Sequence, residues 1–260
     1  MPSFRFTAES TADGVIERDF LLGGADGDIP GVLWSPAGDG SGTGSGSAPL
    51  VLLAHGGGAD KRHPSMIGRA RLLTRHGIHA AVLDAPGHGD RPRSEADERD
   101  IAALRAAQAA GESAAAVAAV VVPYNARLAE QAVPEYRALL DALQALPEIG
   151  PGGPVGFAGV AMGTAVGIPL VAAEPRIRAA ALGLMWPDAL IEHARRITVP
   201  VEFGMQWDDE RIPREASLAL FDAFGSREKS LHANAGLHMD WPKLVEADSA
   251  TRFLVRNLLV

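Results

Sequence analysis

The sequence predicts an α/β protein built on a mostly parallel, doubly wound sheet. Two features predict it. Short apolar runs recur along the chain, most of them ended by Gly or Pro, as buried parallel strands require. Between them lie segments of helical length and pattern, and strand-helix alternation implies a sheet covered on both faces. A length of 260 residues suits one domain, 1–260, with 47% hydrophobic residues to fill its core.

Taken in order, Val15–Leu22 and Ile29–Trp34 read as an antiparallel pair, too small to fold alone. Gly38–Ser47 has no side chains able to pack and reads as a surface loop. The parallel strands are then expected at Leu50–Ala54, His79–Asp84, Val155–Val160, Ala179–Met185, Val199–Met205 and Lys229–Asn234. Helices are expected at Met66–His76, Pro134–Leu146, Met162–Glu174, Pro213–Phe224 and Trp241–Leu258. In the second of these Tyr136, Leu139, Leu140, Leu143 and Leu146 line one face. The segment 91–124 breaks the rhythm. It is Ala-rich, opens on a charged cluster, and reads as a small helical cap insertion over one end of the sheet.

Composition excludes several classes. A formal net charge of −8 is wrong for a nucleic-acid binder, which needs a basic surface. The absence of cysteine rules out disulfides, thiolate metal sites and a cysteine nucleophile. The longest apolar stretch, Ala114–Pro123, is too short for a bilayer, and Met1–Ser10 has no signal-like apolar run. The expectation is a cytoplasmic protein with no membrane partner and no cofactor. No His pair has the i, i+4 spacing of a helical metal site, and Asp60 with His63 is an isolated match, so no metal is expected.

In open parallel sheets ligands bind beyond the carboxyl ends of the strands, so the loops there carry the functional reading. His55-Gly-Gly-Gly58 follows the first central strand. Its glycines let backbone N–H groups face a ligand, as an oxyanion hole requires, although a plain turn would read the same way. Asp84-Ala-Pro-Gly-His88-Gly-Asp90 suits a tight strand exit, with His88 part of the turn. Gly159-Val-Ala161-Met-Gly163 closes a strand and opens a helix. It has the form of the nucleophile elbow G-x-S-x-G with alanine at its centre. Asp208-Asp209-Glu210 follows a later strand, and His238 precedes the final helix. The order 161, 209, 238 is the nucleophile-acid-base order of such sites.

Together these residues resemble the α/β-hydrolase superfamily, and within it the dienelactone-hydrolase-like serine esterases. The resemblance runs from about Leu50 to the end of the chain. Asp-x-Pro-Gly-His-Gly and Asp-x-x-Ile-Pro are similar to that group's motifs, and the second favours Asp209 over Asp208 as the acid. The resemblance implies the α/β-hydrolase fold, hydrolysis of a carboxylic ester or lactone, and His238 as general base. It implies an oxyanion hole from the N–H groups of Met162 and Gly57, with Gly58 as a substitute for Gly57.

Ala161 departs from the family, because alanine has no atom that attacks a carbonyl. Three readings stay open. One is a serine esterase disabled by a Ser→Ala change, with acid, base and glycines retained. Another is a cofactor-free oxygenase or lyase that uses His238 and Asp209 to remove a proton. The third is a small-molecule binding protein. Thr164 lies one helical turn on and is expected to point away. Met162, Met185, Trp186, Met205, Trp207, Met239 and Trp241 flank the site loops, and about half of them are expected to line an apolar pocket. Trp186, Trp207, Met239 and Trp241, with Gly58, are the substrate-contact candidates. Lys61, Arg62 and His63 read as an exposed basic turn.

Overall fold

The structure is a computed structural model that describes residues 3–38 and 47–259. The Gly38–Ser47 loop lies outside the described residues except at its two ends. Among the described residues one nine-stranded sheet runs β1-β2-β3-β5-β4-β6-β7-β8-β9. Strands β1 (Phe4–Ala12), β2 (Val15–Gly24) and β3 (Gly27–Pro36) form an antiparallel meander, and β3 pairs antiparallel with β5 (His79–Leu83). From β5 onward the sheet is parallel through β4 (Leu50–Ala54), β6 (Val155–Gly159), β7 (Ile177–Gly183), β8 (Val201–Gln206) and β9 (Lys229–Asn234).

The parallel strands form where the apolar runs predict them. In β4, β5 and β6 every residue is buried, the pattern of strands covered on both sides. The seventh strand starts earlier than expected, at Ile177, and the eighth later, at Val201. Strand β1 is an addition. Its residues are almost all exposed, so its sequence has no apolar run to reveal it, and it is held by its pairing with β2.

Helices α1 (Pro64–Thr74) and α7 (Lys243–Leu258) cover one face, packing Met66, Leu73, Phe253 and Leu254 against Val51, Leu53 and Val82. The other face carries α3 (Ala114–Gln144), α4 (Met162–Ala173), α5 (Ile191–Arg196) and α6 (Arg214–Ala223) over Leu52, Phe157 and Phe203. Helix α2 (Glu95–Ala109) starts at a capping box in which Ser94 and Asp97 satisfy each other's backbone N–H groups.

The expected helix at Pro134–Leu146 is the second half of a 31-residue helix, α3. Pro123 and Pro134 lie inside it. Each proline removes one backbone donor and frees the carbonyl four residues before it. Both prolines, and Ala119 and Glu130 which own those carbonyls, are exposed, so water can satisfy what the ladder loses. The buried stripe Val117, Tyr124, Leu128, Ala132, Tyr136, Leu139 and Leu143 continues past both. Tyr136 also donates its hydroxyl to Leu53 O at 2.8 Å, tying α3 to the central strand. Among the described residues no helix is long and apolar enough to cross a membrane.

Candidate active site

Three sequence-selected loops leave the carboxyl ends of β6, β8 and β9, on one rim of the sheet. The first is the turn from β6 into α4. Ala161 has φ 53° and ψ −122°, a conformation that L-residues avoid. The turn forms because the flanking positions have no side chains. A Cβ at Gly159 would lie 2.7 Å from Gly163 O, and one at Gly163 would lie 2.5 Å from Ala54 O. Ala161 N–H donates to Gly183 O at 2.9 Å, and Ala161 O accepts from Thr164 N at 2.8 Å.

Thr164 points into the protein, as expected. Its buried hydroxyl lies 2.9 Å from Gly159 O and 2.7 Å from Gly183 O, and Gly183 N donates to it at 2.9 Å. It locks the turn to β7 and presents nothing to a ligand. Met162 is the first helical residue, so its N–H has no acceptor within the helix. Among the described residues neither that N–H nor the one of Gly57 donates to a backbone carbonyl.

The glycine loop after β4 turns at Gly56–Ala59, with Ala59 N donating to Gly56 O at 3.2 Å and Gly58 at φ 75°. A positive φ at the third turn position is what glycine there supplies. Gly57 and Gly58 are exposed. His55 fixes the start of the loop: Nδ1 lies 3.0 Å from Gly56 O, and Nε2 accepts from Ala85 N at 3.0 Å. Burial lowers its pKa and favours the neutral ring that this pattern needs. His88 belongs to its turn, buried with Nδ1 2.9 Å from Pro86 O.

Lys61 corrects the expected exposed basic turn. It is 8% exposed, and its ammonium lies 2.7 Å from Asp84 and 2.6 Å from Asp90. Asp84 is fully buried and accepts in addition from Lys61 N and Asp90 N. A carboxylate at the end of β5 thereby clamps both loops, and Lys61 compensates its charge. Arg62 pairs with Glu17 and Asp19, and His63 caps α1.

Asp209 and His238 come together at the ends of β8 and β9. His238 Nδ1 lies 2.8 Å from Asp209 Oδ2, and Asp209 Oδ1 accepts from Arg211 N and Ile212 N at 2.8 and 2.9 Å. The Asp209 side chain is 1% exposed. Burial pushes its pKa up, but the hydrogen bonds from His238 and the two N–H groups outweigh that and hold it below the usual carboxylate range. Asp208 turns outward toward Arg214. Glu210, which the sequence reading did not single out, accepts from His238 N at 2.8 Å, and Gln206 donates to Leu237 O at 2.8 Å. Nothing in an acidic turn marks Glu210 for that contact.

A cavity of about 400 Å³ opens between α3, α4 and the segment after β7, lined by Ala126, Ala129, Val133, Ala165, Met185 and Trp186 among others. Of the flanking Met and Trp residues only Met185 and Trp186 reach it, fewer than expected. Met162 and Met205 are core. Trp207 is 41% exposed with the Arg214 guanidinium over its ring, and Met239 is 66% exposed. The Trp241 ring fills the space over Gly204 that a side chain would occupy. Gly58 is outside the cavity lining as well.

The arrangement therefore offers a buried carboxylate that orients an imidazole, free N–H groups at a helix start and a glycine turn, and a strained position at residue 161. No protein-family model matches the sequence, and no curated protein matches it. Solved structures do. A cold-adapted esterase from an Arctic intertidal metagenomic library, in a PEG-bound complex, is 32% identical with a TM-score of 0.73, over 96% of this chain and 97% of that one. An acetyl xylan esterase from Paenibacillus sp. R4 is 15% identical with a TM-score of 0.73, over 99% and 89% of the two chains. A second, acetyl xylan esterase 1 from Thermoanaerobacterium sp. JW/SL YS485, is 15% identical with a TM-score of 0.71, over 98% and 88%. At that lower identity the likeness speaks for the fold, whereas the Arctic enzyme shares sequence along nearly its whole length. The chain belongs to the esterases of the α/β-hydrolase fold.

Proposed function

We propose that this is a carboxylic ester or lactone hydrolase of the Ser-His-Asp type in which alanine stands at the nucleophile position, residue 161. The observation that carries the reading is the 2.8 Å contact between His238 Nδ1 and Asp209 Oδ2, on the same rim of the sheet as the Gly159–Gly163 turn. In this reading His238 is the general base, Asp209 holds its tautomer and stabilises the imidazolium, and the N–H groups of Met162 and Gly57 receive the oxyanion. Helix α2 and the start of α3, over 91–124, act as a small cap. With Ala161 the acyl-enzyme route is closed, which in other triads costs on the order of 10⁶ in kcat. The chain then binds its ester and turns it over very slowly.

The cavity beside Trp186 and Met185 is not lined by Ala161, Asp209 or His238 but borders α4 at Ala165, one turn beyond residue 161, and its mostly small, apolar walls favour an apolar or aromatic substrate group there. The test is to assay the chain and its Ala161→Ser variant on p-nitrophenyl esters, with a fluorophosphonate label to count reactive serines. Labelling and a rise of several orders of magnitude, with apolar acyl groups preferred, are expected. A folded variant that stays unlabelled and inactive on every ester would overturn the esterase mechanism. A strong preference for short, charged esters would overturn the apolar pocket alone.

The intact dyad also favours a second reading. A His-Asp pair can abstract a proton from an acidic substrate without any nucleophile at 161. That reading requires turnover by the Ala161 chain that disappears on His238→Ala.

A further inference from the structure

The cavity beside α4 has a buried polar group in its apolar wall that the fold leaves unused. Val122, Asn125, Ala126, Ala129 and Val133 recur at helical spacing and turn one stripe of α3 into that wall. Four of the five are apolar, so a leucine or alanine at 125 would serve for packing alone. Asn125 is 5% exposed, and its carboxamide makes no hydrogen bond among the described residues. Polar residues of α7 behave differently, since Thr251 and Asn257 each donate to the carbonyl four residues before. Asn125 instead opens on the cavity with its donors and its acceptor free. The indole N–H of Trp186, on the wall after β7, likewise has no acceptor among the described residues.

Backbone strain fixes that second wall. Leu184 and Ala189, which bracket Met185 and Trp186, hold φ at 51° and 63°. Residues with a Cβ keep such angles only where the surroundings impose them, and they gather at ligand sites. Leu184 is held by its N–H, which donates to Gly204 O at 3.0 Å.

Charge narrows the ligand further. No Lys or Arg lines the cavity, whereas Glu130 and Asp188 stand exposed at its edge, without ion pairs among the described residues. His193, also in the lining, lies with Nδ1 2.6 Å from Arg196 Nη2. A guanidinium only donates, so Nδ1 accepts and the ring proton of a neutral imidazole sits on Nε2. Burial and the Arg196 charge both lower the His193 pKa and favour that neutral form. An anionic group would therefore meet two carboxylates and no cation in the lining.

We propose that Asn125 is the specificity-determining residue of this cavity, selecting an apolar group that ends in a neutral hydrogen-bonding function, a hydroxyl or a carboxamide. An apolar analogue strands the Asn125 carboxamide away from water, and a site built around a hydrogen bond rejects the ligand that cannot make it. Placing the selected group on an ester substrate rests on the esterase reading; the preference itself does not.

The test uses the unaltered chain and small ligands that it cannot turn over. Binding is followed at the indole N–H signal of Trp186 by heteronuclear NMR, with Trp186→Phe to assign it. 4-Methylphenol and 4-fluorotoluene differ in one hydrogen-bonding group, and 4-methylbenzamide and 4-methylbenzoate differ in charge. The phenol is expected to bind at least about tenfold more tightly than the fluoro compound, and the amide than the carboxylate, each moving the Trp186 signal. In Asn125→Leu the advantage of the phenol is expected to fall to about twofold or less, while 4-fluorotoluene still binds and so reports a folded cavity. Equal affinities within either pair would overturn the proposal with no variant needed. So would binding that leaves Trp186 unmoved, or no binding at millimolar ligand. An advantage that survives Asn125→Leu would pass the role to another group, such as the Trp186 indole. An inactive Ala161→Ser variant with these preferences intact would remove the esterase reading and leave the selectivity of the cavity standing.

Discussion

His238 Nδ1 and Asp209 Oδ2 lie 2.8 Å apart, although 29 residues separate them in the chain. The two N–H groups on the other carboxylate oxygen keep Asp209 ionised and fixed, so the imidazole must present Nδ1–H to it and leave Nε2 free for the substrate side. An amide at 209 keeps the shape and loses the charge. In the Ala161→Ser background, Asp209→Asn is expected to lower kcat by on the order of 10³–10⁴ with little change in KM. Steady-state kinetics on a p-nitrophenyl ester decides it. A loss under tenfold would remove Asp209 from the mechanism.

The same carboxylate makes stability depend on pH. Its folded pKa is depressed, so it contributes stability at pH above its unfolded value. That contribution is lost as pH falls through the folded value, because the proton binds the unfolded chain more tightly. Thermal midpoints measured downward from neutral pH should therefore fall less steeply for Asp209→Asn than for the parent across the acid range. Parallel curves would mean that Asp209 does not couple to folding.

Ala161 sits at φ 53° without any reactive side chain to justify the strain. Such backbone conformations cost about 1–3 kcal/mol for a residue with a Cβ. Glycine removes that cost and adds about 0.4–1 kcal/mol of unfolded-state entropy. Ala161→Gly is expected to raise stability by about 1 kcal/mol in urea denaturation. A drop in the midpoint would show that the turn is relaxed with alanine in place.

How far the sequence reveals this molecule follows the range of the interactions. Buried parallel strands announce themselves locally, as at Leu50–Ala54, and even the half-buried, more polar edge strand Lys229–Asn234 is legible to the residue. Gly159 and Gly163 are legible because the turn admits no Cβ at either position. Strand β1 is illegible because its stability comes from a neighbour and not from its own pattern. The unbroken α3 is misread at Pro134, since only the exposure of that helix face tells a tolerated proline from a helix start. The pairing of Asp209 with His238 follows from chain order, while the choice against Asp208 rests on the family motif. Lys61 lies beyond sequence reasoning, because its partners Asp84 and Asp90 come from the end of β5 and the loop after it, which only the sheet order brings beside the glycine loop.

Lys61 is the sharpest case. Its ammonium lies 2.7 Å from a carboxylate with no solvent exposure, at the junction of the glycine loop and the loop after β5. Burial lowers the pKa of Lys61, but hydrogen bonds to Asp84 and Asp90 outweigh it, so the ammonium stays charged. Removing it strands the Asp84 charge, which still holds Lys61 N and Asp90 N. Breaking one side of a buried pair costs about 3–5 kcal/mol, far more than losing a surface bridge. Lys61→Met, which keeps the length of the side chain, is expected to destabilise by about that amount. Arg62→Met, which breaks only the exposed pairs to Glu17 and Asp19, should cost about 1 kcal/mol or less. Urea denaturation of the two variants side by side measures the difference. Equal midpoints would mean that the Lys61 ammonium contributes no more than an exposed pair, and that the clamp works through its backbone hydrogen bonds alone.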